Sequence, residues 1–234
     1  MKELLLGIDI GTSACKIAVF DRKGHVLAQA NFAYRVYYPN PGWAEQDTEE
    51  WWAAVCEGIR EVLNQPGITA AEICCIGIDG QSWSAIPVDR EGNVLARTPI
   101  WMDTRAREIC ERVKALLGED AVFSVAGNDF LPSYTAPKMI WFRENCPDIY
   151  RKTNYFLQSN SFIAWKLTGV ASQDISQLYG LQFYNLHTMK MDYGLASELG
   201  TDPALIPEIH PCDEIIGHVT EKAAGLNGLL AGTP

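Results

Sequence analysis

Two apolar runs, Leu4–Ile10 and Ala14–Phe20, flank the short segment 11–13 near the start of the chain. Each run has the length and composition of a β-strand, and a three-residue connection containing glycine predicts a tight hairpin between them. This hairpin constrains the fold more than any other feature of the sequence. It begins a sheet to which the following segments must add.

The predicted hairpin carries one acidic residue, Asp9, shortly before its turn. Gly11 allows the backbone to approach a ligand closely or to adopt a positive φ. The amides and hydroxyls of Thr12 and Ser13 can point at anionic oxygens, while the Asp9 carboxylate can face a hydrated magnesium ion. The same pattern also occurs in ordinary hairpins without a ligand. The residues alone therefore leave two interpretations open, a polyphosphate site and a structural turn.

The charge balance limits the kinds of molecule that this protein is expected to bind. The chain of 234 residues has a formal net charge of −10 and no run of Lys or Arg longer than two. Nucleic-acid phosphates are bound by basic surfaces, so this composition argues against a nucleic-acid partner. Hydrophobic residues make up 47% of the chain and charged residues 21%, as in a folded globular protein of one large domain or two small ones.

The seven cysteines and the N-terminus indicate the cellular compartment. The cysteine count is odd, no Cys-x-x-Cys pair is present, and most cysteines have apolar neighbours. This pattern predicts buried, reduced thiols rather than disulfides or metal ligands. The N-terminal apolar run is short and interrupted by Asp9, so we expect neither a signal peptide nor a membrane span. The cytoplasm is the expected location.

Turn residues and apolar periodicity extend the hairpin into a mixed-sheet α/β domain. The turn at residues 21–24 predicts a third strand over residues 25–38, and residues 73–79 have the composition of a further buried strand. Asp47, with Glu50 three residues later, predicts a capping box that starts a helix. Further helices are predicted over residues 104–117, 136–145 and 159–167.

A polar cluster follows the predicted strand 73–79. It consists of Gly80, Gln81, Ser82, Trp83 and Ser84. An aromatic ring beside polar side chains suits a sugar, which stacks its apolar face and forms hydrogen bonds through its hydroxyls. A polar turn with a packed tryptophan explains the same residues equally well.

A second cluster opens the helix predicted over residues 104–117. Asp103 or Thr104 can cap that helix. Alternatively, Trp101 and Asp103 can form the wall of a polyol pocket, with Arg105 either paired with Asp103 or facing a phosphate. A later helix opens near Pro137, which fits the first helical turn, and there the structural interpretation is favoured.

Taken in order, five segments resemble the FGGY family of carbohydrate kinases, and the resemblance covers nearly the whole chain. They are GIDIGTS at 7–13, PGWAEQD at 41–47, GIDGQ at 77–81, WMDTR at 101–105 and TAPK at 135–138. Each segment alone has low specificity, but their order is specific. Within the family the sequence is most similar to the xylulokinases.

The resemblance implies a ribonuclease-H-like α/β domain of the actin and hexokinase superfamily, with a mixed β-sheet flanked by helices. Residues 1–234 would be the N-terminal domain of a two-domain kinase, with the C-terminal ATP-binding lobe absent from this chain. This domain would hold the sugar-binding lobe and the first hairpin for the ATP phosphates. The implied cofactors are ATP and Mg²⁺. By position, Asp9 contacts the metal, and the phosphates are bound by Gly11, Thr12, Ser13 and Lys16.

The resemblance implies phosphorylation of a ketose or polyol hydroxyl, with xylulose as the first choice and ribulose, gluconate or glycerol as alternatives. Ser82 and Trp83 occupy positions where xylulokinases carry Met-His, and an indole cannot replace the hydrogen bonds of an imidazole. The implied substrate-binding residues are Gln81, Ser82, Trp83, Trp101, Asp103 and Arg105.

Other implications concern the whole enzyme. Family members are about twice as long as this chain. Their general base is an aspartate in a Gly-Gly-x-Asp segment, expected here after Pro234, so no catalytic base is expected within this chain and the lobe alone should turn over negligibly. A homodimer is also implied. A non-catalytic sugar-binding or regulatory module stays an alternative, as does another kinase or chaperone of the actin-like superfamily.

Overall fold

The computed structural model of the chain describes residues 3–234, apart from the side chain of Glu119. The strands are β1 Leu4–Ile10, β2 Ala14–Phe20, β3 Val26–Ala33, β4 Glu45–Gln46, β5 Ile73–Gly80, β6 Ile86–Val88, β7 Thr98–Pro99, β8 Tyr155–Leu157, β9 Ser172–Asp174, β10 Tyr184–Asn185, β11 Lys190–Met191 and β12 Glu208–His210. The helices are α1 Thr48–Leu63, α2 Arg107–Leu117, α3 Glu119–Ala126, α4 Thr135–Asn145, α5 Pro147–Lys152, α6 Ser159–Thr168, α7 Tyr193–Leu199 and α8 Glu221–Asn227.

The central sheet has the strand order β3-β2-β1-β5. Strands β1, β2 and β3 form an antiparallel meander, whereas β5 runs parallel to β1. Alternate side chains of β1 face the core, where Leu6, Ile8 and Ile10 are at most 2% exposed. The parallel pairing requires a crossover between β3 and β5, and the chain makes it through α1. The predicted mixed-sheet α/β fold is confirmed.

Helices α1 and α6 cover the core face of this sheet. Helix α1 begins after Asp47, whose carboxylate accepts a hydrogen bond of 3.0 Å from the amide of Glu49. The helix packs against β2 and β3, while α6 packs against β5 and β1 and α8 lies against both helices. The buried apolar face of α1 is made by Trp51, Trp52, Val55, Ile59 and Val62.

A second core lies beside the sheet domain. It contains buried residues of α2, α3, α4 and α7 and of the 3₁₀ segment Ile175–Leu181. Its link to the end of β5 is made by Thr135, the first residue of α4, whose hydroxyl donates to the carbonyl of Ser84 at 3.3 Å. This contact fixes α4 behind the segment that follows β5.

Most predicted elements are confirmed, and the differences have identifiable causes. The strand predicted over residues 25–38 ends at Ala33, and only Tyr37 returns to a β-bridge, with Glu45. The predicted capping box is wrong in its second half. Glu50 instead accepts bonds from the Tyr37 hydroxyl at 2.5 Å and the Arg35 amide at 3.1 Å. Its carboxylate therefore holds the end of the meander rather than the start of α1.

The helix predicted from residue 104 begins at Arg107. The amide of Thr104 instead donates to the carbonyl of Gly42 at 2.8 Å, which ties this residue to the loop before β4. All seven cysteines are free thiols, as predicted; Cys15, Cys56 and Cys110 are buried and Cys212 is exposed. No helix within residues 3–234 has the length and apolar character needed to cross a membrane.

Candidate functional site

The two strands that carry the predicted site residues end at the same edge of the sheet. Because β5 is parallel to β1, Asp9 lies opposite Asp79 and Ile10 lies opposite Gly80. The amide of Gln81 then donates to the carbonyl of Ile10 at 2.7 Å. The hairpin turn and the polar cluster after β5 are therefore neighbours, as is usual for ligand sites at the carboxyl ends of parallel strands.

Asp9 is paired across the hairpin with Lys16. The two residues are register partners in β1 and β2, and Lys16 Nζ lies 2.8 Å from Asp9 Oδ2. The side chains are 65% and 40% exposed for Lys16 and Asp9 respectively, so both charges face solvent. The hydrogen bond to Asp9 raises the pKa of Lys16. The carboxylate and the ammonium therefore both lie beside the turn. Each keeps hydrogen-bonding capacity for a ligand.

The turn itself is held by bonds to its carbonyl oxygens. The Tyr34 hydroxyl donates to the carbonyl of Gly11, and the Tyr34 amide donates to the carbonyl of Ser13 at 3.3 Å. Gln46 Nε2 donates to the carbonyl of Thr12 at 2.8 Å. A Cβ on Gly11 would lie 3.0 Å from the carbonyl oxygen of Ala14, so the turn closes tightly only with glycine there. The Gly11 amide itself donates to the carbonyl of Ala14 at 3.1 Å, which closes the turn.

A chain of side-chain bonds joins the turn to the cluster after β5. Trp101 Nε1 donates to the Thr12 hydroxyl at 2.9 Å, although the indole is 42% exposed. Gln46, which is fully buried, accepts a bond of 2.6 Å from Gln81 Nε2 while its own amide holds Thr12. Residues predicted for sugar and for phosphate are thus connected through Thr12 and Gln46.

The backbone after β5 is supported from α6. Ser159, the first residue of α6, donates its hydroxyl to the carbonyl of Gln81 at 2.6 Å. A Cβ on Gly80 would lie 2.5 Å from that hydroxyl oxygen, so the close approach depends on glycine. Ser82 is half-buried. Trp83 has φ of +69°, an unusual conformation for a bulky residue that costs about 1 to 3 kcal/mol.

Asp103 and Arg105 form a buried ion pair. Asp103 Oδ1 accepts from Arg105 Nε at 2.9 Å, and Asp103 Oδ2 accepts from Arg105 Nη2 at 2.8 Å. Asp103 also accepts from the amide of Ala44 at 2.7 Å, and Arg105 also bonds Glu45 at 2.7 Å. The Arg105 side chain is 2% exposed and that of Asp103 is fully buried. The guanidinium therefore pairs with Asp103 rather than facing a phosphate.

The aromatic residues around Arg105 complete this network. Its guanidinium carbon lies 3.8 Å from the ring centre of Trp43 and 4.8 Å from that of Trp141. The arrangement fixes the loop that carries Trp101. Asp103 and Arg105 thus join the loop that carries Trp101 to the segment at Ala44 and Glu45.

Sequence reasoning missed the residues that support the site. Tyr34, Gln46 and Ser159 each bond a backbone carbonyl of the site. Gln46 lies within the segment PGWAEQD at 41–47, but its position in the sequence does not indicate that its side chain joins Thr12 to Gln81. Tyr34 and Ser159 carry no local motif at all. The partners of these side chains are set by tertiary packing, with separations of 23 to 78 residues along the chain.

Asp9, Lys16 and Trp101 at this sheet edge are open to solvent. A cavity of about 270 Å³ lies elsewhere, between β5, α6 and residues 210–217. Its lining contains none of the predicted site residues. The structure brings the hairpin, Gln81 and Trp101 together, while Asp103 and Arg105 lie beneath them.

The fold matches that of solved sugar kinases, with a TM-score of 0.91 to the gluconate kinase of Lactobacillus acidophilus at 22% identity, covering 98% of this chain and 46% of that one. The sheet edge carries an acidic strand end, a tight glycine-containing turn and a polar, aromatic segment. The chain belongs to the FGGY family of carbohydrate kinases, whose N-terminal domain model matches residues 4–234.

Individual relatives support this assignment. The xylulose kinase of Staphylococcus xylosus is 30% identical over 225 residues, which cover 96% of this chain and 46% of that protein. A glycerol kinase of Paraburkholderia phymatum is 28% identical over 222 residues, covering 92% of this chain and 44% of that protein. The crystal structure of a xylulose kinase from Rhodospirillum rubrum has a TM-score of 0.92 at 24% identity, covering 99% of this chain and 47% of that one. The chain spans about half the length of the curated relatives it matches.

Proposed function

We propose that this chain is the sugar-binding lobe, together with the first ATP-phosphate hairpin, of an ATP-dependent kinase that phosphorylates xylulose. The observation that carries the proposal is the 2.9 Å hydrogen bond between Trp101 Nε1 and the Thr12 hydroxyl. It joins a residue predicted to contact sugar to one predicted to contact phosphate. Phosphoryl transfer depends on holding donor and acceptor side by side, and one sheet edge serves both.

The residues present fit ATP and magnesium. In the turn, the amides and hydroxyls of Thr12 and Ser13 are the candidate donors to phosphate oxygens, since the Gly11 amide is bonded to the Ala14 carbonyl at 3.1 Å. Magnesium keeps several waters and is usually held by one or two carboxylates plus substrate phosphates, so the single carboxylate of Asp9 is a suitable protein ligand. The exposed ammonium of Lys16 lies next to that carboxylate and can reach a phosphate oxygen. ATP would supply the phosphoryl group.

The choice of xylulose rests on the relatives, because the highest identity given above, 30%, is to a xylulose kinase. Glycerol is the second candidate, favoured by one feature of this chain. Ser82 and Trp83 stand where the xylulokinases carry Met-His, and an indole cannot replace the hydrogen bonds of an imidazole. Glycerol kinases also match at 28% identity.

The proposal is tested by reading the coding DNA past codon 234 and expressing the protein it encodes. ADP release is then measured with D-xylulose, D-ribulose, gluconate and glycerol in turn. Sugar-dependent release with xylulose supports the proposal, and equal or greater release with glycerol favours the second candidate. Absence of release with every sugar contradicts both. A stop codon after Pro234, with sugar binding detected by calorimetry, favours a non-catalytic module. The cytoplasmic location and the homodimer stay predictions, the latter accessible by sedimentation velocity.

A further inference from the structure

The backbone of Trp83 has a conformation that is unfavourable for a residue with a bulky side chain. Its φ of +69° lies in the left-handed region, where a side chain with a Cβ and a bulky ring is rare. Such a conformation persists only when surrounding contacts determine it, and these residues are often found at functional sites. Trp83 lies directly after Gln81 and Ser82, in the segment that faces the proposed substrate.

Both hydrogen-bonding groups of the Trp83 backbone are held by buried side chains. The Trp83 amide donates to Gln158 Oε1 at 2.9 Å, and the Trp83 carbonyl accepts from Lys138 Nζ at 2.8 Å. Gln158 is 1% exposed and Lys138 is fully buried. Gln158 is itself fixed, because its Nε2 donates to the carbonyl of Gln177 at 3.1 Å. The peptide groups on either side of Trp83 Cα thus have little freedom to rotate.

Lys138 makes a second bond, to the carbonyl of Ser133 at 2.6 Å. Burial lowers its pKa to about 7, an effect opposed by the charge of Asp103 and reinforced by that of Arg105. A neutral lysine amine still has two N–H donors, which equals the number of carbonyl acceptors here. The contact to Trp83 is therefore retained whether or not the amine is protonated.

The ring of Trp83 is held as firmly as its backbone. It packs edge-on against Tyr134 with ring centres 4.5 Å apart, and against Tyr179 at 5.6 Å. A Cβ on Gly180 would lie 2.4 Å from Trp83 Cδ1, so only a bare backbone fits beneath the indole. Trp83 is consequently fixed from three sides, at its amide, its carbonyl and its ring.

We propose that Lys138 is a positioning residue for the substrate, which acts by holding Trp83 in the left-handed conformation that orients Gln81 and Ser82. This inference rests on the proposed function, since it assigns the segment to sugar binding. Burying an amine is costly, and both of its hydrogen bonds go to backbone carbonyls at or near Trp83, those of Trp83 itself and of Ser133.

The test compares the chain with its Lys138→Met variant, in which the apolar stem is kept and the donors are lost. Three quantities are measured: D-xylulose affinity by calorimetry, unfolding free energy in urea, and hydrogen exchange of the Trp83 amide. We expect affinity to fall about tenfold, because binding must then re-order a segment that Lys138 otherwise holds in place. We expect exchange at Trp83 to accelerate and the unfolding free energy to fall, because the carbonyls of Trp83 and Ser133 lose their donor.

Lys166→Met is the matched control, because Lys166 bonds the exposed Glu49 and is 22% exposed. It should change neither affinity nor exchange at Trp83. Gln158→Leu removes the other contact to the same residue and should reproduce the Lys138→Met result, which keeps the test decisive if Lys138→Met fails to fold. Unchanged affinity and unchanged exchange in folded Lys138→Met overturn the inference.

The same experiment separates this inference from the proposed function. If the unmodified chain binds no sugar, the proposed function fails and the assignment of Lys138 to substrate positioning fails with it. Faster exchange at Trp83 in Lys138→Met would then still establish that Lys138 fixes this conformation. If the unmodified chain binds xylulose and Lys138→Met binds it equally well, only the positioning role is refuted.

Discussion

Trp101 donates its indole N–H to the hydroxyl of Thr12, 89 residues earlier in the chain, at 2.9 Å. Thr12 also accepts at its carbonyl from the buried Gln46. Its side chain and its backbone are therefore both bonded to the segments that carry the proposed sugar site. A displacement of the phosphate turn must disturb Trp101 or Gln46, which couples the two halves of the site mechanically.

Trp101→Phe keeps an aromatic face but removes the donor to Thr12. One neutral hydrogen bond is worth about 1 kcal/mol, so we expect roughly fivefold weaker binding of both sugar and ATP by the full-length kinase. Steady-state kinetics with each substrate varied in turn measures the effect. Trp165→Phe on α6 serves as the control. A loss confined to sugar would show that the bond to Thr12 does not couple the two substrates.

Asp9→Ala tests the proposed metal contact. The Asp9–Lys16 pair is exposed, and such pairs contribute little to stability, so the variant should fold normally. We expect turnover of the full-length enzyme to fall far more than sugar affinity, because Asp9 is proposed to act on the metal and phosphates. Thermal unfolding and steady-state kinetics measure the two quantities. An unfolded protein, or equal losses in both parameters, would make Asp9 a structural residue.

Arg105→Lys tests the buried ion pair beneath the site. A lysine cannot reproduce the bidentate contact to Asp103 or the stacking between Trp43 and Trp141. Because the Asp103 carboxylate would be left buried with poor partners, we expect a loss of about 3 to 5 kcal/mol in unfolding free energy. Urea denaturation measures it.

Arg151→Lys is the matched control for that measurement. Arg151 pairs with Asp148 on α5, where the two side chains are 69% and 83% exposed. An exposed pair of this kind should change the unfolding free energy by less than about 0.5 kcal/mol. Similar losses in both variants would mean that burial of the Arg105 pair is not what stabilises the loop.

Gly80→Ala should force Ser159 away from the end of β5, because the new Cβ would lie 2.5 Å from the Ser159 hydroxyl oxygen. We expect a loss of about 1 to 3 kcal/mol in unfolding free energy. Ser159→Ala alone removes the bond to the Gln81 carbonyl and should cost about 1 kcal/mol. The double variant should lose less than the sum, by at least about 0.5 kcal/mol. Strict additivity would indicate that the two residues do not clash.

Glu50 gives the fold a dependence on acid pH. Its hydrogen bond from Tyr37, assisted by the Arg35 amide, lowers the pKa of its carboxyl from the usual 4.5. The stabilisation is therefore complete above pH 4.5 and is lost as pH falls through the lower folded-state value. Glu50→Gln should flatten this part of the stability curve, measured by urea denaturation between pH 7 and pH 3. If the unfolding free energy of Glu50→Gln falls with pH as steeply as that of the unmodified protein, other carboxylates cause the pH dependence.

The sequence was a good guide to the sheet because local patterns determine it. Alternating apolar residues and the glycine turn fixed β1 and β2 at their predicted bounds, and Asp47 capped α1 as expected. The end of β3 was misjudged because Glu50 draws Tyr37 toward α1. That contact joins two elements and has no local signature.

The candidate site could be predicted in its position but not in its internal contacts. Parallel pairing of β1 with β5 is enough to bring Asp9 and Gln81 to one edge. The sequence allows Arg105 either to pair with Asp103 or to face a phosphate. The structure shows the pairing, because the guanidinium is buried between the indoles of Trp43 and Trp141. The bridging role of Gln46 depends on packing between distant segments, which a single sequence does not reveal.

The free thiols determine how this protein can be labelled. Burial raises the pKa of Cys15 to about 12, so this thiol in the hairpin strand β2 stays protonated and unreactive toward alkylating dyes. Cys212 is exposed and lines the separate cavity beside β5. A maleimide fluorophore should therefore attach first at Cys212, giving a reporter of ligand-induced motion that leaves the hairpin chemistry intact.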